Sequence, residues 1–141
     1  MNREILFRGK RVDNGEWVNG YLVKKIDPLY TDIETHCILH QERDNCGCLM
    51  SLMTWTRVDV ETIGQYTGLN DKNNVKIFEG DILKFRSGIY SVEWDNEHSK
   101  FLQRDGQFSR ELHIWIAKSE IVGNIHDNPE LLKGEFWLFV Q

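Results

Sequence analysis

Five residues in the first half of the chain carry the atom types of a metal centre: His36, Cys37, His40, Cys46 and Cys48. Imidazole nitrogen and thiolate sulfur are the usual zinc donors, and four of them at tetrahedral angles close a structural site. The spacing argues against that use. Cys46-Gly47-Cys48 is one residue short of a CxxC knuckle, no second such pair follows, and strand neighbours such as His36 and Cys37 point to opposite faces. The expectation is therefore ordinary thiols, neither a zinc site nor a redox dithiol, with no cofactor. Free thiols suit a reducing compartment, where structural disulfides are uncommon.

Arg8, Lys10 and Arg11 offer a second chemistry, contact with phosphate, and Trp17 supplies a ring on which a base could stack. A few adjacent charges do not by themselves make a shaped basic surface, so the same residues read first as part of a hairpin. Gly64-Gln65-Tyr66-Thr67-Gly68 has the glycines of a phosphate cradle but no GxxxxGK[ST] run and no strand-to-helix setting. A shaped β junction is expected there, in which Tyr66 packs its ring and bonds through its hydroxyl. Asp81, Glu93 and His113 have acid-base groups that could meet only after folding, and His113 has no placed nucleophile or paired carboxylate. Catalysis is thus less favoured than binding to protein or to nucleic acid.

The elements that must position these groups read as short strands. Asn14-Gly15 suits a tight hairpin between Ile5-Leu6-Phe7 and a strand on which Trp17, Tyr21 and Val23 recur with period two. An apolar segment follows at His36 to Leu39, and another strand at Cys48 to Trp55. The stretch from Glu61 to Phe85 is the pivot: a polar turn from Leu69 to Asn74, then Glu79-Gly80-Asp81, then the alternating run Ile82 to Phe85. Gly64, Gly68 and Gly80 are candidates for backbone angles or close approaches that side chains oppose. Tyr90, Val92 and Trp94 alternate to make one apolar face, and their burial is expected to close the later core. Glu111 to Ala117 reads as a late strand, and Glu120 to Ile125, with Gly123, as the next. Asn128 can cap a helix of one or two turns with Pro129 at its first position. The tail Phe136-Trp137-Leu138-Phe139-Val140 is apolar enough to require cover from its own chain or from a second copy.

With 17 Lys plus Arg against 22 Asp plus Glu, the 141-residue chain has a formal charge of minus 5. This balance favours solubility and gives duplex nucleic acid no general attraction. No apolar run approaches the roughly 20 residues that cross a bilayer, and MNREILFRG lacks the apolar core of a secretory signal. The change to mixed charge after Arg57 suggests two subdomains, 1–60 and 61–141.

IGQYTGLNDKNN, IFEGDI and IVGNIHDNPELL, in that order, together resemble the YopX family of phage and prophage proteins, and ILFRGKRVDNGEWVNGYLV is similar to its variable front end. Asn74 stands where the family commonly has the glycine of a DKNG turn. The resemblance implies an all-β protein with an SH3-like small barrel in the later part; with a small β-rich subdomain before it and the short helix that Asn128 and Pro129 predict near the carboxyl end, the expected fold is mainly β. The resemblance implies no reaction. Residues and resemblance together lead to a non-catalytic accessory protein in the cytoplasm of the bacterial host. Its expected partner is a host or phage protein, with nucleic acid as the alternative and no membrane; a homo-oligomer through the tail is the other assembly considered. The residues expected to shape the scaffold are Gly64, Tyr66, Gly68, Gly80, Asp81, Trp94, Gly123, Asn128 and Pro129.

Overall fold

A computed structural model of the chain describes residues 2–26, 34–42, 52–106, 108–113 and 115–132. The chain divides into two compact units, Met1–Gln65 and Tyr66–Gln141.

In the first unit, β1 (Phe7–Lys10) and β2 (Trp17–Ile26) form an antiparallel hairpin with Lys10 opposite Trp17. Gly15 takes φ 74, the Asn14 side chain accepts from the Glu16 N–H at 2.9 Å, and the Arg11 N–H donates to the Glu16 carbonyl at 2.8 Å. The strand begins at Phe7, so Arg8, Gly9 and Lys10 lie within it and not in a turn after it. β3 (Glu34–Glu42) and β4 (Leu52–Arg57) extend the sheet, and the front of β5 (Gly64–Asn70) pairs with β1, giving the order β4-β3-β2-β1-β5. A 3-10 turn at Val60–Thr62 leads into β5, with Asp59 accepting from the Glu61 N–H at 3.1 Å. Ile38, Thr56 and Val58 are buried on this unit's inner side.

The second unit begins within β5, where Tyr66 faces Phe78 of β6 (Lys76–Phe78). β7 (Asp81–Phe85), β8 (Gly88–Asp95), β9 (Lys100–Asp105), β10 (Phe108–Glu111) and β11 (Glu120–Asn124) make an antiparallel sheet ordered β10-β9-β8-β7-β11. Its core is Ile77, Leu83, Val92, Leu112 and Ile116, with Leu69, Phe101 and Ile121 packed against it.

The expected SH3-like barrel is not formed. β10 and β11 stand at opposite ends of the second sheet and do not pair with each other, and the first sheet likewise ends at β4 without closing. The physical reason lies in Glu111 to Ala117, expected as one late strand. The strand stops at Glu111, Trp115 turns left-handed at φ 60, and Ile116–Lys118 is a 3-10 turn. Leu112 and Ile116 thereby drop into the core as a plug where a closing strand would have run. A fold with two open antiparallel sheets and a helical turn at 130–132 results.

The apolar face of β8 also departs from expectation. Val92 is 1% exposed, but Tyr90 is only half-buried and Trp94 is 42% exposed, its ring edge-on to Phe101 at 4.9 Å. Trp94 lies near the end of its strand, beyond the plug that covers Val92. The tail from Phe136 to Val140 lies outside the described residues.

Candidate binding surface

Residues directly opposite one another in a sheet share a face. Across the first unit Tyr21 stands opposite Leu39 and Leu39 opposite Trp55, while Gln41 stands opposite Met53 and Val23 opposite Cys37, which is opposite Arg57. Period two adds Trp17, Asn19 and Lys25 of β2 to the same face, and the pairing with β1 adds Arg8 and Lys10. This is the solvent side of the sheet: Tyr21 is 57%, Met53 48% and Trp55 53% exposed. A groove of about 630 Å³ runs along it, lined among others by Trp17, Asn19, Tyr21, Leu39, Gln41 and Met53. The geometry thus assembles an exposed apolar and aromatic patch from three strands, the kind of surface that soluble proteins keep for partners.

The three cations that the alternative of phosphate contact would bring together are split. The Arg8 guanidinium lies 4.8 Å from the Trp17 ring centre and the Lys10 ammonium 6.0 Å from it. Arg11 instead reaches back to Asp13, Nη2 to Oδ2 at 2.8 Å, and this ion pair holds the Asp13 carboxyl below its ordinary value. The metal-like cluster is divided as well. Cys37 is buried on the face of β3 opposite to His36 and His40, and His40 Nε2 is engaged with Thr56 Oγ1 at 2.7 Å. Cys46 and Cys48 lie outside the described residues.

The scaffold residues occupy the turns of the second unit and the strand that enters it. Gly64 is buried in β5 opposite Arg8, and Gly68 has φ 86 where the β5–β6 register shifts. Buried Tyr66 packs on Phe78 at 5.6 Å and donates its hydroxyl to Asn70. Gly80, at φ 93, turns the chain so that its N–H reaches the Val92 carbonyl and its own carbonyl receives the Ile125 N–H, both at 2.8 Å. Asp81 is 2% exposed and accepts from the Phe78 N–H at 2.8 Å. Gly123 is required by a close approach, since a Cβ there would meet the Asn128 Oδ1 at 2.5 Å. That side chain accepts from the Asn124 N–H at 3.3 Å, so Asn128 braces β11, while Pro129 directly precedes the helical turn.

Asp71 is the structural residue that sequence reasoning passed over. Its buried carboxylate accepts from the N–H groups of Asn73 and Val75 at 2.9 Å and from that of Ile121 at 3.1 Å, tying the polar turn to β11 fifty residues on. The signal was present in Asp71 preceding Lys72-Asn73-Asn74, an Asx-turn pattern, but its reach to β11 was not readable. Asn74 holds the left-handed angle, φ 61, at the position of the family's glycine. Elsewhere in the second unit, exposed His113 Nε2 lies 3.6 Å from Glu111 Oε2, and Glu111 also accepts from Lys100 at 3.1 Å. Asp95, Glu97 and His98 bring ligand-type atoms within 4.8 Å of one another. This grouping is a local turn in which Asp95 accepts from the Glu97 N–H and binds His98 Nδ1 at 2.8 Å.

A family model described as YopX protein matches residues 6–133. The crystal structure of protein EF1440 from Enterococcus faecalis is similar with a TM-score of 0.54 and 24% identity, covering 93% of this chain and 99% of that one. At that identity the likeness concerns the fold. No curated protein matches the chain.

Proposed function

This chain belongs to the YopX family of phage and prophage proteins, and from that premise we propose that it acts by binding, without catalysis, as an accessory protein in the cytoplasm of the bacterial host. The observation that carries the reading is the row Tyr21, Leu39 and Trp55, laid side by side on three strands with Tyr21 and Trp55 open to solvent on either side of half-buried Leu39. The groups with acid-base chemistry support it in another way. His40 is engaged with Thr56, and Asp71 and Asp81 hold backbone N–H groups in place, so each serves the scaffold. No helix among the described residues is long and apolar enough to cross a membrane. The sequence favours a host or phage protein as partner, with nucleic acid as the alternative; a homo-oligomer through the tail rests on residues outside those described.

The test is capture in the native phage background: brief crosslinking, then partner identification with and without nuclease, for the natural protein and for variants. Tyr21→Ser with Trp55→Ser is expected to lose the stoichiometric partner, while Trp94→Ser in the other unit keeps it. A partner retained by the double variant would refute the assignment of this face.

A further inference from the structure

The formal charge of minus 5 belongs to the whole chain, and the binding face does not share it. Among the described residues on the strands of that face the ionisable side chains at its borders are Arg8, Lys10, Lys25 and Arg57, while the one described carboxylate beside it, exposed Glu4, shares a pocket with Arg3 and Tyr21 ahead of β1. Asp13 is turned to Arg11 at the hairpin end, and Asp59 caps the Val60–Thr62 turn, so these two carboxylates are committed elsewhere. Lys25 and Arg57 are exposed and have no carboxylate partner among the described residues.

The aromatic residues differ in the same useful way. Trp17 already carries Arg8 against its ring, but Tyr21 and Trp55 make no ring, cation or hydrogen-bond contact among the described residues. They are separated by one intervening strand, about 10 Å, so two flat groups could lie on them side by side. Beside Tyr21 on β2 stands Asn19, an exposed amide able both to donate and to accept. Open rings on a sheet face, a neutral amide beside them and cations along the borders are what an unpaired polynucleotide requires. Bases stack on the rings, amides meet base edges, and lysine and arginine meet phosphates.

Resting on the reading of this face as the binding surface, we infer that its occupant is single-stranded nucleic acid, held by base stacking on Tyr21 and Trp55 with phosphates against Arg57 and Lys25. Duplex is a poor fit because its bases are not free to lie on the rings. A peptide with an aromatic or apolar side chain would use the rings but would leave the cationic borders unmatched unless it were also acidic.

The experiment is fluorescence anisotropy of labelled oligo-dT and oligo-rU with the full chain, from about 50 to 200 mM salt, where phosphate contacts show their dependence. Binding should weaken with log salt at a slope of about −1.4 if two cations meet phosphate, at roughly 0.7 per contact on a single strand. Trp55→Ala or Tyr21→Ala should weaken binding about tenfold or more, as expected for loss of one stacked base. Trp55→Phe should restore most of it, and Arg57→Gln should reduce the slope by roughly 0.7. Trp94→Ala, in the other unit, should change nothing. Absence of binding at low salt, equal binding of duplex, or insensitivity to Trp55→Ala in a chain that still folds by circular dichroism would each overturn the inference. Capture of a nuclease-resistant protein lost with Tyr21→Ser and Trp55→Ser would also overturn it, while leaving the face itself as the binding surface.

Discussion

Asp71 shows how one side chain can hold a turn and a distant strand together. A buried carboxylate with three backbone donors leaves those donors unsatisfied when it is removed, and Asp71→Ala should cost roughly 2 to 4 kcal/mol in urea or thermal melts. A cost near zero would mean that water replaces it. Asn74 next to it illustrates a substitution the backbone tolerates, since asparagine enters the left-handed region more readily than other non-glycine residues. Glu79 gives a pH signature. Burial pushes its carboxyl above the ordinary 4.5, so in the folded state it holds its proton to higher pH than in the unfolded state. Its contribution is full below the unfolded value and is lost as pH rises through the folded one. Glu79→Gln should therefore gain stability relative to the natural protein from about pH 4.5 upward, measured by urea midpoints along a pH series. A difference independent of pH would remove the titration of Glu79 as its cause.

At the scale of elements, the second unit's core hangs on β7 and β8. Leu83 and Val92 are almost wholly buried, so Leu83→Ala should cost about 2 to 5 kcal/mol. Trp94→Ala, half-exposed, should cost less than that, by comparison of melting curves, and the reverse order would require Trp94 to be packed. Much of this architecture was legible from residues. Asn14-Gly15 announced the hairpin, Glu79-Gly80-Asp81 announced a turn, and Asn128-Pro129 announced a short helix. The plug was not, because Leu112 and Ile116 are also compatible with a strand's apolar alternation, and nothing local shows that Trp115 turns left-handed. Barrel closure is a non-local property, decided by which strand ends meet, and that segment removed the strand expected to supply closure. Trp94 failed for a related reason: alternation tells which face a residue is on, while burial depends on what lies above that point of the strand.

At the scale of the molecule, the binding face was only partly readable. Trp17, Tyr21 and Val23 fall on one side of β2 by period alone, but Tyr21, Leu39 and Trp55 come from segments joined by long connections whose register no spacing reveals. The same register separates Arg11 from Arg8 and Lys10 and sets Cys37 apart from His36 and His40. The central claim is that this face of the first unit is where the protein meets its partner. Side-chain oxidation footprinting of the free protein and of the crosslinked complex recovered from phage-bearing cells tests it most directly. Tyr21, Met53 and Trp55, open in the free chain, should be protected in the complex, while Trp94 and Phe108 of the second unit keep their reactivity. Unchanged oxidation of Tyr21, Met53 and Trp55, with protection confined to the second unit, would contradict it.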